Sequence, residues 1–124
     1  MITLNINDIY GVSSYITKDS IRIKFRCPLP HESWHVLLKS IHELIEEDLL
    51  NWEFDLTELE HPCSTDIGMW VTLNNKIVNQ GGTLHFIVGH DSCAHKYMKL
   101  TKLDKMFSIT AQDPNQDTFE DKYA

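Results

Sequence analysis

Hydrophobic and polar positions alternate with two different periods along this chain, and the switches between them mark the elements. Ile2, Leu4 and Ile6 alternate with polar residues, which predicts a strand ended by Asn7-Asp8. Tyr10 to Tyr15 predicts a short second strand, with Lys18-Asp19-Ser20 as its turn. Ile21, Ile23 and Phe25 then alternate with Arg22, Lys24 and Arg26, the pattern of a strand with one wet face. Cys27-Pro28-Leu29-Pro30 breaks it, because each proline removes a ladder donor. From Glu32 to Asp48 the period changes: Trp34, Leu37, Leu38, Ile41, Leu44 and Ile45 form one helical stripe.

Leu50 to Leu56 predicts a central strand. Ser64 to Asn79 predicts a second helix, with Ile67, Trp70, Val71, Leu73 and Ile77 inward and Gly81-Gly82 as its stop. Thr83 to Val88 is a further strand. Gly89-His90-Asp91 turns into a short helix, with Asp91 the expected N-cap and Ala94, Tyr97, Met98 and Leu100 expected to face inward. Met106 to Ile109 closes the pattern as a last strand. Strands separated by helices argue for an α/β layer. We expect one folded domain over residues 1–110 and an acidic, polar tail over 111–124, where there is little to bury.

Composition narrows the function. At 124 residues with 42% hydrophobic content, the chain can bury a single core without disulfides or metal. A net charge of −7 argues against nucleic-acid or anionic-membrane binding, both of which need a basic surface. Three scattered cysteines, Cys27, Cys63 and Cys93, form no CxxC and suit a reducing compartment. With no basic region ahead of an apolar run at the start, and no apolar run near membrane-spanning length, a cytoplasmic location is expected.

Ser64 and Thr65 stand where strand gives way to helix. The first turn of a helix has unpaired N–H groups and a positive dipole end, so it caps well on a hydroxyl and also tolerates a phosphate. His61, Cys63, His85, His90, Asp91, Cys93 and His95 are possible metal ligands, but no zinc frame of the CxxC or HExxH kind orders them, and loop histidines and buried thiols are the simpler account. Asp55, Glu58 and Glu60 lack a nucleophile–base partner; Glu58 and Glu60 are expected to be solvated loop charges. Trp34, Trp52 and Trp70 are expected in the core. Nothing in the sequence points to an enzyme or a cofactor.

The ordered set Asp55-Leu56-Thr57-Glu58-Leu59, Cys63-Ser64-Thr65-Asp66-Ile67-Gly68, Gln80-Gly81-Gly82-Thr83-Leu84 and Leu100 to Ile109, with Leu103-Asp104-Lys105-Met106-Phe107 inside it, resembles the STAS domain. Anti-sigma-factor antagonists of bacterial partner-switching systems typify that family. The resemblance implies a mixed β-sheet of about four to five strands with helices mainly on one face. It also implies a regulatory interaction switch that works by docking. The partners would be a serine/threonine kinase-type anti-sigma factor and a phosphatase, and transcription would be the process regulated.

The phosphoacceptor position falls on Thr65, with Ser64 as second choice. The implied contact surface takes in Cys27, Pro28, Leu29, Pro30, Cys63, Ser64, Thr65, Asp66 and Met69. Cys63 and the Pro28–Pro30 loop stand where the family has acidic residues, and Asp66 where it commonly has glycine. Asp66 would oppose a phosphate on Thr65, or stand in for part of one. The alternative is a non-phosphorylated STAS subunit of a larger assembly, such as a lipid-transport ABC complex. A metal-binding module is a third reading, which stoichiometric zinc in the native protein would reveal.

Overall fold

The computed structural model describes residues 9–16 and 20–112. The expected first strand at Ile2–Ile6, most of the turn at Lys18-Asp19-Ser20, and residues 113–124 of the expected tail lie outside them. Five strands form one sheet: β1 (Val12–Ile16), β2 (Ile21–Phe25), β3 (Asn51–Asp55), β4 (Thr83–Gly89) and β5 (Ser108–Gln112). Their spatial order is their sequence order. β1 runs antiparallel to β2, and β2, β3, β4 and β5 are mutually parallel.

Each parallel step needs a crossover, supplied by α1 (His31–Glu46), α2 (Ser64–Asn79) and α3 (Cys93–Leu100). Because the strands advance always in one direction, crossovers of the single favoured hand set all three helices on the same face. The register makes that face apolar. Ile23, Phe54, Phe86 and Ile109 lie in one row across the sheet. The neighbouring row, Arg22, Glu53, His85 and Ser108, points to the opposite face. There Arg22 Nη2 reaches Glu53 Oε2 at 2.9 Å. No helix among the described residues is long and apolar enough to cross a membrane.

An aromatic row runs through the core. Phe25 stacks on Trp34 (centroids 5.6 Å) and meets Phe54 edge-on (5.1 Å); Phe54 meets Phe86 (5.6 Å), which stacks on Phe107 (4.4 Å). Such pairs contribute about 0.5–1.5 kcal/mol each beyond burial. Trp34, Trp52 and Trp70 are all fully buried, as expected.

Both long helices end in the same motif. Leu49 and Asp48 donate back to Leu44 and Ile45 carbonyls, and Gly82 and Gly81 to Ile77 and Val78. The residue after each cap is left-handed, Asp48 at φ 65° and Gly81 at φ 85°. The Gly81-Gly82 stop was legible. The equivalent at Asp48 carries no glycine to announce it.

Three expectations need correction. α3 is capped by Ser92, whose Oγ accepts the His95 N–H at 3.2 Å, while Asp91 is left-handed at φ 58°. Its inward residues are Ala94, His95 and Met98; Tyr97 and Leu100 are exposed, because so short a helix touches the sheet along a narrow stripe. Finally, β5 starts at Ser108 and not Met106. Leu103–Lys105 coils into a 3-10 turn, and Met106 and Phe107 both donate back to the Leu103 carbonyl. β5 then reaches Gln112, paired with Gly89, two residues past the expected domain end at 110.

Candidate functional site

The start of α2 is built where β3 leaves the sheet. Asp55 Oδ1 accepts the Thr57 N–H (3.0 Å) and hydroxyl (2.6 Å), turning the chain. The Leu56 N–H donates to the Ile87 carbonyl at 2.7 Å, so the turn remains anchored to β4. Glu58 is not simply a solvated charge: it pairs with Lys24, and its other oxygen lies 3.8 Å from Arg26 Nε.

Cys63 takes the N-cap position of α2, in extended conformation, and its carbonyl accepts the first helical bond from Ile67 N–H at 3.2 Å. Ser64 and Thr65 are therefore the first two helical residues, and both are exposed. Neither hydroxyl occupies the cap position, so the simple capping reading of this pair does not hold. Cys63 and Pro30 are also exposed, while Cys27, Pro28 and Met69 are half-buried.

Two residues expected on the contact surface lie inside. Leu29 is 4% exposed and Asp66 is 2% exposed. Asp66 Oδ1 accepts the Trp34 indole N–H at 2.7 Å and the Leu29 backbone N–H at 3.1 Å. Its Oδ2 accepts the Cys63 N–H at 2.8 Å, the carboxylate half of a capping box. Asp66 therefore cannot stand in for part of a surface phosphate, because its carboxylate is turned inward and spent on three donors. The sequence offered one faint sign of this: an acid at the third helical position is the usual reciprocal partner of an N-cap. Leu29 and Trp34 as its other partners had no local signature.

The possible metal ligands are dispersed into separate contacts. His85 places Nδ1 2.7 Å from Ser108 Oγ and Nε2 2.6 Å from Thr110 Oγ1. His90 Nδ1 lies 3.2 Å from Asp91 Oδ2, while His95 Nδ1 accepts the Asp91 N–H at 3.2 Å. Burial, helped by the nearby positive Lys99 and by His90, lowers the His95 pKa below its ordinary value. Among the described residues no three histidines, cysteines or acids converge as a metal would require.

No family model matches the chain, and no curated protein does. Solved structures do. A Thermotoga maritima protein proposed to be an anti-sigma factor antagonist superposes with TM-score 0.70 at 18% identity, over 92% of both chains. An anti-sigma factor antagonist from Mycobacterium paratuberculosis gives 0.66 at 14% identity, over 90% of this chain and 89% of that one. The Bacillus cell fate determinant SpoIIAA, solved in its phosphorylated form, gives 0.65 at 12% identity, over 91% of this chain and 99% of that one. With the five-stranded mixed sheet, its three one-sided crossover helices and this near end-to-end likeness, the chain has the STAS fold in the form seen in anti-sigma-factor antagonists.

Proposed function

We propose that the chain is a bacterial cytoplasmic interaction switch of the anti-sigma-factor-antagonist kind, acting by docking and not by catalysis. Its partner is a kinase-type anti-sigma factor, which phosphorylates Thr65, and a phosphatase reverses the modification. The observation that carries this reading is the exposed Ser64–Thr65 pair in the first turn of α2, with the capping position filled by Cys63. Thr65 is preferred because it matches the family's acceptor position, with Ser64 beside it. A phosphate there meets unpaired helix N–H groups and a favourable dipole end, yet it adds about −1.5 to −2 charges that a protein interface must desolvate. The docking face comprises Ser64, Thr65, Cys63 and Met69 with Cys27, Pro28 and Pro30 of the loop between β2 and α1, and Leu29 and Asp66 support it from beneath.

One observation favours a second reading. No carboxylate stands in the Pro28–Pro30 loop or at Cys63, and Asp66 is committed to three backbone and indole donors. A non-phosphorylated subunit of a larger assembly, such as a lipid-transport ABC complex, would use the same face without an acceptor.

Affinity capture with wild type, Thr65→Ala and Thr65→Glu side by side, read by mass spectrometry, separates the two. A kinase-type anti-sigma factor held by wild type and Thr65→Ala but lost with Thr65→Glu supports the switch. Equal capture by Thr65→Glu sinks it, and a transporter ATPase retained by all three establishes the subunit reading.

A further inference from the structure

We infer that Asp66 is the positioning residue joining the two halves of this docking face, and that charge added at Thr65 is transmitted through it to the Cys27–Pro30 loop. The biological use of this relay rests on the reading above; its physical content does not. Capping alone would require only the Oδ2 bond to Cys63 N–H. The other oxygen reaches out of the helix, to the Leu29 N–H in the loop and the Trp34 indole in the first turns of α1. One buried carboxylate thus fastens three pieces of chain, drawn from positions 37, 32 and 3 residues away.

Thr65 precedes it directly and is exposed. An anion on Thr65 draws on the same first-turn N–H groups that include the Asp66 cap contact, and it repels the carboxylate next to it. The two anions are not equally placed to adjust. The one on Thr65 has water, whereas Asp66, at 2% exposure, has only its three donors. Any displacement of Asp66 must therefore be felt at Leu29 and Trp34, the far ends of its bonds. The loop and the helix start respond together because one residue holds both.

The test is ¹⁵N NMR of the full chain, following the Trp34 indole N–H and the Leu29 amide in wild type, Thr65→Gln and Thr65→Glu. The Trp52 indole, bonded to the Leu49 carbonyl at 2.8 Å, serves as internal reference. Thr65→Glu should shift the Trp34 and Leu29 resonances well beyond Thr65→Gln and leave Trp52 in place. In an Asp66→Asn background, which keeps the volume but removes the charge, Thr65→Glu should lose that excess shift. Equal shifts from Gln and Glu, or an excess that persists in Asp66→Asn, would overturn the relay. If Asp66→Asn does not fold, the Gln–Glu comparison decides alone. Partner loss with Thr65→Glu but no excess shift removes the relay and spares the switch. An excess shift with partner binding unchanged keeps the relay and removes the switch.

Discussion

Trp34 donates its indole N–H to Asp66 at 2.7 Å, and neither side chain is more than 2% exposed. The pair joins α1 to the start of α2. Replacing Asp66 with alanine leaves two buried donors, the Trp34 indole and the Leu29 amide, without an acceptor. At about 1–3 kcal/mol for each unsatisfied group, the loss should total about 2–6 kcal/mol in chemical denaturation. A loss under about 0.5 kcal/mol, the range of ordinary surface substitutions, would mean that water replaces the carboxylate. Asp66→Gly, which removes the same carboxylate and adds backbone freedom in the first turn of the helix, should be at least as harmful.

The two stop-signal glycines should differ in sensitivity. A methyl group at Gly82 would lie 2.3 Å from the Leu50 carbonyl oxygen, which also accepts the Thr83 N–H at the entry to β4. Gly82→Ala should cost about 1–3 kcal/mol through that backbone clash. Gly81 has open space around it but a φ of +85°, so Gly81→Ala should cost about 1 kcal/mol, from conformation alone. Melting curves that rank the two the other way would contradict this account.

Asp48 occupies the left-handed position that Gly81 holds in α2, after a helix with no basic residue in its last turn. Asp48→Gly should relieve the backbone and remove a charge of the wrong sign at the dipole's negative end. The expected gain is about 0.5–1 kcal/mol, read as a higher denaturation midpoint. Asp48→Asn isolates the charge contribution and should give a smaller rise.

His95 links stability to pH. Burial, and after it Lys99 and His90, hold its pKa below 6.5, while Asp91 and Asp104 pull weakly the other way. Its Nδ1 accepts the Asp91 N–H, a bond that only an unprotonated nitrogen can make. As pH falls, the unfolded chain takes up the proton first. The contribution is complete above 6.5 and is lost as pH drops from there through the lower native pKa. His95→Asn should flatten this part of the stability profile, and an NMR titration of His95 giving a value above 6.5 would refute it.

Periodicity made the long elements readable. The bounds of α2 came directly from its apolar spacing and the Gly81-Gly82 stop, and α1 began within one residue of the expected Glu32. Short elements were harder, since eight residues of α3 contain too few turns for a stripe to separate Met98 from Tyr97. The hydroxyl pair was visible at the site because hydroxyls at a strand–helix junction form a local pattern. Asp66 was expected there too, but on the surface. Two of its three partners lie more than 30 residues away, and an acid beside two hydroxyls looks like surface until the fold brings Leu29 and Trp34 beneath it.

Among the described residues strand order in space and in sequence coincide, so from β1 to β5 this sheet grows along one edge. As the chain leaves the ribosome, each new strand can add beside the last, with no earlier pairing to be reopened for it. The cost falls on incomplete chains. Until β5 and Phe107 emerge, β4 presents an unpaired parallel edge of seven residues, with the face of Phe86 that Phe107 will cover still bare. Truncations ahead of Phe107 should therefore associate or be degraded instead of persisting as smaller folded proteins.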